Sequence, residues 1–299
     1  MSQFVKVVIV GAGPSGLKLA GILDSAGVSV VVLEANDRIG GRYRVSSWAE
    51  KTAYEGADAI IAVSQGMKRD VLRAYPNLDP EKVFAILNGI DTEQYSPKPD
   101  PELLAKYKIS GDYAIFVGRI TRQKGLGHLL AAWKNVPKHI GLVLAAGSPD
   151  EPAIGAEVAK AIAELQAERG NVWWFEKMLP QNEVISLLSS AKLFVCPSIY
   201  EPLGIVNLEA MACETAVLAT DVGGIPEVVA NNQTGELIHY TGDGIALESV
   251  LSAKITEMMA DPDRLERYGK AGRERAISNF SWDQIAQETL RLYQQVLRK

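Results

Sequence analysis

The stretch Leu193-Phe-Val-Cys-Pro-Ser-Ile-Tyr-Glu-Pro-Leu-Gly-Ile-Val-Asn-Leu-Glu-Ala-Met-Ala212 holds a strand, a turn and the start of a helix in direct succession. The apolar run ending at Cys196 predicts a buried strand, and an apolar helix starts near Gly204. Glu201 falls in the turn, while Glu209 falls further along the helix. Two carboxylates so spaced can reach different parts of one ligand threaded across the helix start. Free N–H groups near Gly204 and Ile205, at the positive end of the helix dipole, favour an anion there. The plainer alternative is an acidic helix cap and an exposed carboxylate. In either case a buried strand feeding directly into a helix is the repeating unit of a parallel α/β sheet.

Working outward, the same alternation runs through the chain. Strands are expected at 113–118, 141–146, 172–175, 193–196, 216–219 and 235–239. Helices are expected at 245–260, 262–278 and 282–297, the last opening behind Ser281, a good N-cap. Upstream, strands are expected at 5–10, 28–33, 59–63 and 83–87, with helices at 15–26, 48–55 and 65–74. The proline-punctuated stretch Tyr95-Ser-Pro-Lys-Pro-Asp-Pro-Glu102 between the two blocks reads as a linker. The expected fold is α/β, with two Rossmann-like doubly wound domains. Residues 1–94 with the C-terminal helix 281–299 form a small domain of about four parallel strands. Residues 95–102 link it to a larger domain at 103–280.

Composition narrows the functional classes. The hydrophobic fraction is 47% and the charged fraction 22%, ordinary values for a soluble globular protein. A formal charge of −5 gives no basic footprint for nucleic acid. The apolar run Val7-Val-Ile-Val10 is too short to span a bilayer and lacks the surroundings of a secretory signal, so a cytoplasmic protein without a membrane partner is expected. Cys196 and Cys213 sit in apolar contexts, and His128, His139 and His239 show no metal-binding spacing. No metal site is expected.

A second motif follows the strand at 113–118: Gly118-Arg-Ile-Thr-Arg-Gln-Lys-Gly125. Arg119 offers a rigid fork suited to phosphate, and Lys124 a point charge. At the C-terminal end of a parallel strand both would face the ligand crevice. Two solvated loop cations are the alternative. Ala146-Gly147-Ser148 forms another strand-end turn, and Lys177-Met178-Leu179 follows the strand after that.

Together with Trp48-Ala-Glu-Lys-Thr-Ala-Tyr-Glu-Gly-Ala-Asp-Ala-Ile-Ile-Ala-Val-Ser64 and Leu87-Asn-Gly-Ile-Asp-Thr-Glu-Gln-Tyr-Ser-Pro97, these motifs resemble retaining GT-B glycosyltransferases of the glycogen-synthase type. The resemblance covers residues 48–299. It implies ADP-glucose or UDP-glucose as donor, an α-glucan as a possible acceptor, and no required cofactor. Arg119 and Lys124 would neutralise the leaving diphosphate, Glu201 would meet the donor sugar, and Glu209 would bind the ribose. Gly118, Gly147, Gly204 and Ile205 would complete the nucleotide site, with Leu179 near the base. Val222-Gly-Gly-Ile-Pro-Glu-Val228 recurs in such transferases and is expected to be a structural turn. Glu214 stands where many relatives carry glycine.

The start of the chain has a different character. Val7-Val-Ile-Val-Gly-Ala-Gly-Pro-Ser-Gly16 is a GxGxxG loop after a strand. Gly11 permits the turn, Gly13 lets backbone approach a pyrophosphate, and Gly16 allows close helix packing. Glu34 is placed to accept from a ribose hydroxyl. With Glu34-Ala-Asn-Asp-Arg-Ile-Gly-Gly-Arg42, residues 4–44 resemble the FAD-binding segment of amine-oxidase and desaturase flavoproteins. That resemblance implies Gly11, Gly13, Gly16, Glu34, Gly40, Gly41 and Arg42 as an FAD site. No flavin domain follows, so the unit is expected to serve as scaffold, with a splice at 44–48. Three readings stay open: a transferase whose turnover suffers because most of the acceptor-side domain is missing, an FAD- or NAD-binding oxidoreductase fragment, and a non-catalytic chimera, engineered or recombined.

Overall fold

The computed structural model describes residues 7–10, 30–33 and 57–297. Gly11, Gly13, Gly16, Glu34, Gly40, Gly41, Arg42 and the helices expected at 15–26 and 48–55 lie outside the described residues. The chain divides into two compact units: Met1–Gly89 with Phe280–Lys299, and Ile90–Asn279.

In the smaller unit, β1 (Val7–Val10) pairs in parallel with β2 (Val30–Leu33), and β3 (Ile60–Ala62) in parallel with β4 (Val83–Ala85). The expected four strands are thus present as two parallel pairs. Between β3 and β4 runs α1 (Gln65–Ala74), whose N-cap Ser64 accepts from the Met67 N–H. Ile60, Ala62, Leu78 and Val83 make one buried cluster. Ile86 makes another with Ile285 and Leu292 of the C-terminal helix, Trp282–Leu297. That helix sits so close that a Cβ on Gly89 would come within 2.9 Å of the Trp282 ring.

The larger unit is a six-stranded parallel sheet: β5 (Tyr113–Arg119), β6 (Gly141–Gly147), β7 (Val172–Trp174), β8 (Leu193–Cys196), β9 (Ala216–Thr220) and β10 (Gly235–Ile238). The strand order is β10-β9-β8-β5-β6-β7. The chain therefore builds β5, β6 and β7 in one direction, then returns to place β8 on the other flank of β5. Strand order reverses between β5 and β8, which in an open α/β sheet is where ligands bind. The helices are α2 (Pro101–Lys106), α3 (Leu126–Trp133), α4 (Pro152–Glu168), α5 (Gln181–Ser190), α6 (Ile205–Ala212), α7 (Ile225–Val228), α8 (Gly244–Met259) and α9 (Pro262–Phe280), with α10 the C-terminal helix of the smaller unit. Every residue of β8 and β9 is buried, the pattern of a parallel sheet covered on both faces.

The proline-punctuated stretch expected as a linker belongs to the larger unit. Asp100 caps α2 by accepting from the N–H groups of Glu102 and Leu103, and Pro101 begins the helix. The Lys98 N–H donates to Ser189 Oγ. Prolines that read as spacers in the sequence here preset a turn and a helix start. Glu214 adopts φ +62°, the left-handed region that glycine enters without steric cost.

Arg169 ties the far side of the core together. Its buried guanidinium donates to the carbonyls of Trp133, Val136, Pro137 and Ile140 at 2.8–3.0 Å. Trp133 ends α3, where carbonyls lack helical partners. Arg169→Ala strands these acceptors in the interior. The expected loss is about 3 kcal/mol of unfolding free energy, read as a lower urea midpoint at an unchanged m-value.

Candidate functional site

The site is built where the loops after β5 and β8 touch. Thr121 starts a short 3-10 turn, Arg122–Lys124, by accepting from the Lys124 N–H. Gly125 follows at φ +66°, and a Cβ there would lie 1.9 Å from the Pro197 carbonyl oxygen. The backbones of the two loops therefore meet directly, with the Ile199 N–H donating to the Gln123 carbonyl. This contact brings Lys124 Nζ to Glu201 Oε2 at 2.6 Å, with only 23% and 10% of the two side chains exposed. The Ser198 hydroxyl donates to the same oxygen at 3.3 Å. The loop after β9 closes the third side. Gly223, at φ +57°, lies where a Cβ would come 1.8 Å from the Glu201 carbonyl oxygen, and the Gly224 N–H donates to that oxygen. The segment expected as a structural turn thus fixes the backbone of Glu201.

Next to Glu201, Gly204 opens α6 at φ +92° and supplies no side-chain cap. The first turn of α6 keeps an electropositive end. Asn207 in that turn is fully buried, and neither of its amide atoms has a partner among the described residues. Its Nδ2 lies 2.4 Å from where a Cβ on Gly204 would stand, so residue 204 is restricted to glycine twice over. Glu209, further along α6, accepts at Oε1 from the Tyr95 hydroxyl at 3.0 Å, and Gln181 Nε2 donates to Tyr95 at 2.9 Å. Burial pushes the Glu209 carboxyl up to about 7, against the opposing pull of the Tyr95 hydrogen bond and the Lys124 charge.

Other expected residues take other places. Arg119 pairs with Asp150 at 2.7 Å and is half exposed, so it does not join the Lys124–Glu201 pair. The backbone at Gly147 lies against residues 176–178, where a Cβ would meet the Glu176 carbonyl at 3.3 Å. Met178 is 87% exposed, and Leu179 is half-buried. Gly118 lies beside the Lys124 stem, whose Cδ is 4.0 Å from its would-be Cβ. Cys196 is buried and burial pushes its thiol up, and the Cys213 thiol rises to about 12. Neither has the thiolate character a reactive cysteine needs. Among the described residues no group of three or more His, Cys, Asp or Glu is placed to hold a metal ion. Among the same residues, no helix is long and apolar enough to cross a membrane. Tyr95, Gln181, Ser198 and Asn207 are missed by motif reading, because their roles depend on contacts distant in sequence.

The parallel sheet, with paired charges at its switch point and an uncapped helix beside them, is a doubly wound α/β fold, and the architecture is that of GT-B glycosyltransferases. The structure of the Anabaena protein HepE in complex with UDP-glucose superposes with a TM-score of 0.78 over 97% of this chain and 99% of that one, at 17% identity. The Glycosyl transferases group 1 family matches residues 102–275, and Glycosyltransferase Family 4 matches residues 20–94, beginning within the segment that resembles flavoproteins. The chain belongs to the group 1 glycosyltransferases. It is similar to an alpha-maltose-1-phosphate synthase from Mycolicibacterium smegmatis, 53% identical over 266 residues, covering 87% of this chain and 69% of the relative. A glycogen synthase from Mycobacterium tuberculosis is 29% identical over 254 residues, covering 84% and 56%.

The Glu209 carboxyl yields a stability test. A pKa raised by burial contributes stability below the ordinary carboxyl range that is lost as pH rises to about 7. Glu209→Gln avoids that loss and still accepts from Tyr95. It should unfold at a higher temperature than the parent at pH 8, with the difference vanishing near pH 4.

Proposed function

We propose that this chain is a retaining glucosyltransferase that takes ADP-glucose or UDP-glucose as donor and glucose 1-phosphate as acceptor, forming α-maltose 1-phosphate. The observation that carries the reading is the Lys124–Glu201 pair at the switch point, beside Glu209 and the uncapped start of α6. A diphosphate leaving group gathers negative charge as it departs, and preorganised cations and N–H groups are what stabilise it. In this reading Lys124 and the N–H groups near Gly204 and Ile205 hold the diphosphate. Arg119 leaves Asp150 to join them. Glu201 accepts from donor sugar hydroxyls and Glu209 from the ribose. Gly118 and Gly147 allow backbone approach, and Leu179 lies near the base.

The transfer balances without a cofactor. The acceptor hydroxyl oxygen bonds to C1 of the glucosyl group on the face from which the diphosphate leaves. The C1–O bond to phosphate breaks, and the hydroxyl proton passes to the departing phosphate oxygen. The relative at 53% identity is named for α-maltose 1-phosphate, which favours a phosphorylated glucose over the longer α-glucan that the glycogen-synthase likeness suggests. Residues 103–280 carry the donor site, and residues 1–94 with 281–299 the acceptor side. Turnover is expected to be slow beside donor binding. Soluble substrates agree with a cytoplasmic enzyme.

The test combines donor with 13C-labelled glucose and unlabelled glucose 1-phosphate, followed by NMR of the new anomeric carbon. An α-linked disaccharide phosphate is expected, with kcat reduced about 10²–10³-fold in Lys124→Met. Thermal unfolding reads binding separately: a saturating donor should raise the midpoint of the parent and not of Glu209→Ala. Equal shifts in the parent, Lys124→Met and Glu209→Ala would remove the donor site from this crevice. A shift with FAD alone would return the reading to residues 4–44.

A further inference from the structure

We propose that Tyr95 is a positioning residue for the donor: its hydroxyl holds one oxygen of Glu209 so that the other is presented to the ribose. The inference rests on the ribose role of Glu209 given above.

Tyr95 lies outside both acidic and basic motifs, yet it is held on every side. Its N–H donates to the Asp91 carbonyl at 2.8 Å, and its carbonyl accepts from Arg273 Nη1 at 3.2 Å. The same Arg273 nitrogen donates to the Ala212 carbonyl at the end of α6, so α9 fixes Tyr95 and the helix bearing Glu209 together. Gln181, at the first position of α5, donates to the Tyr95 oxygen. With an acceptor role satisfied by Gln181, the phenolic proton is directed to Glu209 Oε1. Oε2 takes no hydrogen bond from the described side chains that surround it. A carboxylate on a flexible stem reaches a diol in many rotamers; one fixed by a tyrosine does so in one, which lowers the ordering cost of binding.

The contact also sets the charge state of Glu209. Burial opposes ionisation there, and the Tyr95 hydrogen bond favours it. The other groups facing Glu209 are Lys124 from the loop after β5, itself paired with Glu201, and Cys213 at the end of α6, whose thiol stays protonated near neutrality. Arg273 of α9 stands beyond Cys213. Glu209 is therefore the group in this cluster whose titration changes affinity around neutral pH. Its ionised form accepts from ribose hydroxyls, so binding weakens as pH falls through about 7. Removing the Tyr95 hydroxyl favours the protonated form and moves that loss to higher pH.

The experiment is calorimetric titration of ADP-glucose and UDP-glucose, whose diphosphates do not titrate in this range, between pH 5.5 and 8.5. The proteins are the parent, Tyr95→Phe, Glu209→Gln and the double variant, each checked for cooperative unfolding. Tyr95→Phe should weaken the better donor about five- to tenfold at pH 8. It should also raise the pH midpoint of binding by at least about half a unit. The double variant should bind no more weakly than Glu209→Gln. A structural role alone would not move the pH midpoint. Parent-like affinity and midpoint in Tyr95→Phe, alongside a weakened Glu209→Gln, would overturn the proposal while leaving the donor site standing. So would additive losses in the double variant. Unchanged affinity in Glu209→Gln would remove the ribose role, and this proposal with it.

Discussion

Strand order in the larger unit reverses between β5 and β8, and the arrangement of charged groups follows from that reversal. Helices leaving the two strands must diverge to opposite faces of the sheet, so a crevice opens at their C-terminal ends. The loops that leave those ends carry Lys124 and Glu201. Gly125 lets one loop rest on the carbonyl of Pro197 in the other, and Gly223 brings the loop after β9 onto Glu201 itself. Three loops from adjacent strands thus fix one ion pair from three directions. Any side chain at residue 125 or 223 would need these loops to separate.

The pair makes little sense as a stabilising device. A mostly buried lysine–glutamate pair at 2.6 Å loses hydration on both partners, and apolar residues of similar volume often stabilise as well or better. Around it stand further features that work against stability: a buried amide on Asn207 with no partner among the described residues, and a carboxyl on Glu209 displaced to about 7. An unsatisfied buried amide costs about 1–3 kcal/mol. In a binding site a ligand can complete such hydrogen bonding, and Asn207 and Glu209 both lie on α6 beside the ion pair. Arg169, by contrast, satisfies four carbonyls at once on the far side of the sheet, where polar burial serves the fold.

Much of this was legible in the sequence because parallel strands buried on both faces are short apolar runs between helices. All six strands of the larger sheet fall within a residue or two of the expected ranges, whereas their order comes from the folded sheet. Lys124, Glu201 and Glu209 were visible as charges at fixed distances from a glycine. Arg119 was visible as a cation but not as the partner of Asp150, since that pairing spans two strand-end loops. Tyr95 and Asn207 were not legible as site residues. Tyr95 sits among prolines and reads as spacer, and Asn207 reads as a polar break in an apolar helix. Their roles come from Gln181, Arg273 and Gly204, which only the folded chain brings to them. The stretch 95–102 misleads for the same reason: its prolines and Asp100 build a turn and a helix cap on the larger unit, where composition suggests a tether.

The central claim is that the crevice between β5 and β8 receives the diphosphate of a nucleotide sugar. A crystal structure of the chain with bound UDP or ADP addresses it most directly. The account requires phosphate oxygens within hydrogen-bonding distance of Lys124 Nζ and of the N–H groups at the start of α6, and a ribose hydroxyl on Glu209. A nucleotide bound elsewhere, with the Lys124–Glu201 pair untouched, would contradict it.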